Sequence, residues 1–135
     1  MHTVYLSLGS NLGDKEQNLA SAVSEIARRI GDITDQSAFI ETEPWGFDSK
    51  NTFLNAAVRV ETELSPIDLL HATQQIERDL GRTHKSEKGQ YHDRIIDIDI
   101  LLYDDLHIQT PELTIPHPLM QQRDFVLIPL KEIMK

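Results

Sequence analysis

The chain has 135 residues, 39% of them hydrophobic and 26% charged, which suits one globular domain with a buried core and excludes a disordered chain. Twenty-two acidic residues against 13 Lys and Arg give a formal net charge of -9, which argues against nonspecific nucleic-acid binding, since that needs a basic footprint. Cysteine is absent, so disulfides and thiolate metal sites are excluded, and no apolar run approaches the roughly 20 residues that cross a bilayer. No basic n-region or signal core precedes the first strand, so a cytoplasmic protein is expected.

Thr3 to Leu8 alternates and is β-prone, so it reads as the first strand. Gly9-Ser10-Asn11-Leu12-Gly13-Asp14 then turns the chain into a helix. On it Leu19, Ala22, Val23, Ile26, Ala27 and Ile30 recur at helical spacing, with Gly31 as the stop. Strand, glycine-rich turn and helix resemble a phosphate-binding loop. Both the G-x-x-x-x-G-K-[ST] and the G-x-G-x-x-G spacings are missing, however, which favours a structural turn with a helix cap. Asp35 to Thr42 reads as a second strand, with Ala38 and Ile40 on one face. Glu43 to Asn51 is a loop with Pro44, Gly46 and Asp48 as turn formers. It holds the only tryptophan, Trp45, either as a lid on the core or as a ligand platform.

Phe53 to Thr62 reads as a third strand. Asn55 within its apolar part must find hydrogen-bond partners if buried. It reads either as a core asparagine tied to backbone or as an amide that meets the edge of a planar heterocycle, with Phe53 and Trp45 supplying π-faces. Ser65-Pro66-Ile67-Asp68 starts a second helix, with serine as N-cap and proline at the first position, and Gly81 ends it. Glu77 falls on or beside the apolar stripe of that helix, the position of an edge salt-bridge partner. Arg82 to Asp93 is a cationic loop with Arg82, His84, Lys85, Lys88 and His92. Surface charge of this kind is worth little by itself.

The loop runs directly into Arg94-Ile95-Ile96-Asp97-Ile98-Asp99-Ile100-Leu101-Leu102. With period 2, Asp97 and Asp99 share one strand face while Ile96, Ile98, Ile100 and Leu102 fill the other. The two carboxylates then stand about 7 Å apart at Cα, close enough to hold one hard cation or to bridge two. Magnesium takes oxygen ligands and enters with substrate phosphates. A basic loop beside such a pair is the arrangement that phosphoryl transfer needs, because Arg and Lys neutralise charge that spreads in the transition state. Beyond it come a turn at Tyr103-Asp104-Asp105 and short extended pieces at Ile108 and Leu113-Thr114-Ile115. Then follow His117 held between Pro116 and Pro118, Arg123, and a strand end with a short helix from Val126 to Lys135.

Four separated motifs in this order resemble the 6-hydroxymethyl-7,8-dihydropterin pyrophosphokinase family. They are Tyr5 to Asp14, Phe53 to Val58, Arg94 to Leu102, and Pro116 to Met120 with Arg123 and Phe125. The resemblance implies an α+β fold: a ferredoxin-like single domain over residues 1–135, with helices packed on a mostly antiparallel sheet. It implies transfer of pyrophosphate from ATP to 6-hydroxymethyl-7,8-dihydropterin in folate biosynthesis, by in-line attack of the pterin hydroxyl on the β-phosphorus with release of AMP. Arg82, Arg94, Asp97 and Asp99 are the catalytic set it implies, with Asp97 and Asp99 as ligands of two Mg2+ ions bound with ATP. The ATP-binding residues expected are Glu77, Arg82, Lys85, Arg94, Ile100, Leu113, Thr114, His117 and Arg123. Those for the pterin are Thr42, Pro44, Trp45, Phe53, Asn55 and Phe125, with Trp45 and Phe125 as the sandwiching rings. A monomer without nucleic-acid or membrane partners is expected.

One segment departs from the family pattern. Tyr91-His92-Asp93 stands where the family carries Trp-Gly-Pro, and the loop from Arg82 to Arg94 is longer than usual. Two rival readings use the same residues: a magnesium-dependent phosphohydrolase or nuclease with water as nucleophile, and a noncatalytic small-ligand sensor whose aspartates merely cap a strand.

Overall fold

A computed structural model describes residues 1–42, 52–81, 95–118 and 124–134, with Asp124 and Phe125 described in the backbone alone. Its chain order is β1 (His2–Ser10), α1 (Lys15–Arg29), β2 (Gly31–Gln36), β3 (Ile40–Thr42), β4 (Phe53–Thr62), α2 (Pro66–Asp79), β5 (Asp97–Tyr103), β6 (Ile108–Gln109), β7 (Thr114–Ile115) and α3 (Asp124–Ile133). The main sheet runs β2-β4-β1-β5, with β3 also on β4, and every pairing is antiparallel. With β1 and β4 central, this is the ferredoxin-like α+β arrangement the sequence implied. β6 and β7 form a separate hairpin, pairing Ile108 with Ile115.

The sheet is covered differently on its two sides. Leu6 and Leu8 of β1, Val58 and Val60 of β4, and Ile98 and Ile100 of β5 point to one face. There they pack with Leu19, Ala22 and Ile26 of α1 and Leu69 and Ile76 of α2. Each helix is started as its sequence dictates. Asp14 accepts from the Gln17 amide, Ser65 accepts from the Asp68 amide, and Pro66 opens α2. On their outer side, Arg29 joins the helices by bonding both Glu25 and Asp79, each at 2.6 Å. The Arg28 guanidinium holds the Glu25 carboxyl below its ordinary range, and Arg29 does the same for Asp79.

α3 packs on the opposite face, where Val126 and Leu130 close over Leu101 with Tyr5 and Leu102 at the margin. The segment from Val126 was expected to open as a strand end and close as a helix. It is one helix instead, because Val126, Leu130 and Ile133 recur at helical spacing and all are buried.

Three further expectations are corrected. Gly31 does not end α1: the cap is Ile30, and Gly31 is the first residue of β2. A Cβ there would lie 1.9 Å from the Glu61 carbonyl oxygen, so the glycine serves close strand approach rather than a helix stop. The expected strand from Asp35 to Thr42 is two strands broken at Ser37. The Ser37 amide donates to the Ala57 carbonyl while its hydroxyl accepts from the Ala57 amide, so a side chain replaces one ladder bond. Finally, Leu102 leaves the Ile face. Register against β1 slips between Tyr5 and Leu6, and the bulge leaves Leu101 and Leu102 both on the α3 side while Tyr103 enters the main core.

Candidate active site

β1 extends through Gly9 and Ser10, which the sequence suggested would already be in the turn. That extension matters because Gly9 is the register partner of Asn55 on one side and of Asp97 on the other. Directly opposed residues share a face. Asn55, Gly9 and Asp97 therefore form one row across three strands, and Ala57, Ser7 and Asp99 form the next. Antiparallel spacing puts Asn55 and Asp97 about 10 Å apart at Cα, with a residue lacking any side chain between them. A Cβ at Gly9 would stand 3.1 Å from Asn55 Oδ1 and 3.5 Å from Phe53 Cδ1. The bare glycine keeps the floor between amide and carboxylate clear.

At one end of the row, Asn55 is 1% exposed and its Nδ2 donates to Thr42 Oγ1 at 2.6 Å. The pair joins β4 to β3, whose Thr42 faces Phe53 in the ladder. Thr42, Phe53 and Asn55 are thus brought together as expected. Among the described residues Asn55 is tied through the Thr42 hydroxyl.

At the other end, Asp97 and Asp99 are half-buried on the same face of β5, and Ile98 between them is buried on the other. Glu77 of α2 was expected at the exposed edge of its helix stripe. It is 5% exposed instead, and its Oε2 accepts the Ile98 amide at 2.8 Å. β5 is the outer strand beyond β1, so this amide is met by a side chain where another strand would otherwise pair. A hydrogen bond of that kind helps a helix keep a carboxyl group on its buried side. Among the described residues no cluster of three or more His, Cys, Asp or Glu could hold a metal ion. Two carboxylates on one strand face are oxygen donors of the kind that suits magnesium entering with phosphate oxygens and water. The pair fits that ion.

A cleft of about 250 Å3 opens beside the pair. Asp99, Ile98 and Ile100 form one wall, and Leu113, Thr114, His117 and Pro118 form the other. Four positions expected around the nucleotide, Ile100, Leu113, Thr114 and His117, thus gather at one opening with one of the two aspartates. The second wall is built by the β6–β7 hairpin. Thr110 Oγ1 accepts from the Leu113 amide at 3.0 Å, and the His117 amide donates to the Leu101 carbonyl at 3.1 Å. The Ile115–Pro116 peptide is cis.

The glycine-rich segment after β1 is held from the first turns of α1. Asn18 Nδ2 donates to the Leu12 carbonyl at 2.8 Å and to Ser10 Oγ at 3.2 Å, and Gly13 takes φ +69°. Pro44, Trp45, Arg82, Lys85, Arg94 and Arg123 lie outside the described residues, as does the Phe125 side chain. Sequence reasoning missed the place of Gly9 between Asn55 and Asp97, because only strand register reveals what a glycine separates. It also missed the bond from Glu77 to β5. A carboxylate on an apolar helix stripe was the available signal.

A family model described as 7,8-dihydro-6-hydroxymethylpterin-pyrophosphokinase (HPPK) matches residues 5–135. The chain is 56% identical over 134 residues to the 2-amino-4-hydroxy-6-hydroxymethyldihydropteridine pyrophosphokinase of Porphyromonas gingivalis, covering 98% of this chain and 91% of that protein. Against the protein of the same name from Bacillus subtilis, identity is 45% over 130 residues, covering 96% and 76%. Among solved structures it is similar to an HPPK-DHPS in complex with substrates, with TM-score 0.78 and 15% identity over 98% of this chain. Wild-type Plasmodium falciparum HPPK-DHPS gives TM-score 0.73 at 17% identity, again over 98% of this chain. The chain spans 40% of each of those solved chains, and at such identity the likeness is one of fold.

Proposed function

The chain belongs to the 7,8-dihydro-6-hydroxymethylpterin-pyrophosphokinase family, transferases of folate biosynthesis that move pyrophosphate to hydroxymethyldihydropterin, and we propose that the row from Asn55 to Asp97 is where it does so. Residues 1–135 act as one catalytic domain, a cytoplasmic monomer without nucleic-acid or membrane partners. No helix among the described residues is long and apolar enough to cross a membrane.

The single observation that carries the reading is that Gly9 separates an amide from a carboxylate within one row of the sheet. A pterin is a planar heterocycle whose edge offers both donors and acceptors, which suits Asn55 and Thr42, and Phe53 adds a ring face. The nucleotide occupies the cleft of Ile100, Leu113, Thr114 and His117, which brings its phosphates to Asp99. Asp97 and Asp99 would hold two magnesium ions, which would supply Lewis-acid polarisation of the phosphate and hydroxyl oxygens. Arg82, Lys85, Arg94 and Arg123 neutralise the triphosphate, while Pro44, Trp45 and Phe125 complete the pterin pocket. Glu77 serves the nucleotide site from behind, by holding the strand that carries the aspartates. The pterin hydroxyl oxygen bonds to the β-phosphorus, the bond from that phosphorus to the oxygen bridging to the α-phosphate breaks, and AMP departs. The hydroxyl proton passes to Asp97 or to water.

The test is to incubate the protein with ATP, Mg2+ and 6-hydroxymethyl-7,8-dihydropterin and to measure AMP and pterin diphosphate. AMP formation that requires the pterin is the expected result. ADP, phosphate alone or no turnover would sink the reading. Titration calorimetry gives a second readout, since Mg2+ should tighten binding of a nonhydrolysable ATP analogue in the unaltered protein and not in Asp97→Ala.

A further inference from the structure

Lys15 is the first residue of α1, where the helix dipole favours acidic side chains and a cation is out of place. Its side chain explains the exception. Nζ lies 3.2 Å from Thr52 Oγ1 and 3.3 Å from the Thr52 carbonyl oxygen, donating to both, and 3.8 Å from Glu41 Oε2. Those residues belong to two different pieces of chain. Glu41 is in β3, next to Thr42, and Thr52 immediately precedes Phe53 at the start of β4. One ammonium group, with three protons to give, thereby spans the mouth between the two strands that carry Thr42 and Asn55.

The mouth needs such a tie. β3 is three residues long and among the described residues pairs only with β4, so few ladder bonds there fix where Thr42 sits against Asn55. α1, by contrast, is anchored by Leu19, Ala22 and Ile26, all fully buried. Its first residue is a rigid post from which a side chain can hold a weakly paired neighbour.

We propose that Lys15 is a positioning residue for pterin recognition, fastening the ends of β3 and β4 to α1 so that the Thr42–Asn55 pair is preset for the heterocycle edge. The inference rests on the pterin reading of that pair given above. Lys15 touches neither substrate in this account. Its effect is confined to the pterin side, because the cleft beside Asp99 contains none of these residues.

The experiment compares the full chain with Lys15→Met, which keeps the apolar stem, and with Lys15→Arg, which keeps the charge. Pterin binding is followed by equilibrium dialysis, the KM of each substrate and kcat by AMP release, and folding by Tm. Losing two charge-assisted bonds should weaken pterin binding roughly five- to tenfold in Lys15→Met. The ATP KM, kcat and Tm should stay near those of the unaltered protein, and Lys15→Arg should recover most of the loss. Unchanged pterin binding in Lys15→Met overturns the inference. So does equal damage to both substrates with a lowered Tm, or failure of arginine to restore binding. Absence of pterin binding by the unaltered protein overturns the pterin reading itself, and the inference with it.

Discussion

The two faces of the main sheet are built from the same strands by opposite rules. On the face toward α1 and α2, Leu6, Leu8, Val58, Ile98 and Ile100 are at most 5% exposed and belong to the main apolar core. On the other face, the same stretch of β1 and β5 presents Ser7, Gly9, Asp97 and Asp99, one residue out of step. Because side chains alternate, a single backbone carries the core on one side and the proposed site on the other. On that proposal stability and catalysis fall to adjacent residues, and substitutions should separate them.

The sharpest separation is at Asp99. Replacing it, or Asp97, with alanine should lower turnover by roughly a thousandfold, the scale of losing an electrostatic contact to the transition state, while Tm stays within a few degrees. A mutant that unfolds would show that the pair is structural. Leu8→Ala is the converse. It lies between Ser7 and Gly9 but is fully buried on the helix face, so it should cost about 2–5 kcal/mol in urea unfolding and leave both KM values near those of the parent. Loss of substrate affinity without loss of stability would break the division between the faces.

Gly9→Ala tests the site face more gently. Its Cβ would press on Asn55 Oδ1 at 3.1 Å, so the pterin KM should rise about tenfold, equivalent to about 1.4 kcal/mol, with the ATP KM little changed. Equal effects on both substrates would mean that Gly9 does not divide two subsites.

The smallest effect belongs to the helix side. Glu25 and Asp79 have lowered carboxyl pKa values, from ordinary values of 4.5 and 3.8, through their bonds to Arg28 and Arg29. Their contribution is complete above those ordinary values and is lost as pH falls through the lowered, folded-state ones. Both groups are at the surface, so the loss is slight. Thermal melts between pH 6 and pH 3 should show a shallower acid-side decline in Arg29→Ala than in the parent.

Much of this division could be read without coordinates. Asp97 and Asp99 alternate with isoleucines, and period 2 alone separates them from the core. The limits of the Phe53–Thr62 strand and the cap at Ser65 follow from local propensity and hydrogen bonding. The helix stop at Gly31 misled, since glycine serves both a left-handed cap and a close backbone approach, and only the Glu61 carbonyl decides between them. The second strand misled for a similar reason. Ala38 and Ile40 alternate as in one strand, and the break comes from a serine hydroxyl that meets Ala57, a residue distant in the chain.

The sequence by itself determined which residues carry charge, which repeat at strand or helix spacing, and where the first two helices begin. These are local properties, set within a few residues by sterics and capping. Only the tertiary structure decided that Asn55 and Asp97 flank the same glycine, that Glu77 seizes the amide between the aspartates, and that a bulge at Leu101 turns Leu102 toward α3. Each depends on register between segments far apart in the chain. A slip of one residue would send every side chain of a strand to the other face, and no local signal records which register prevails.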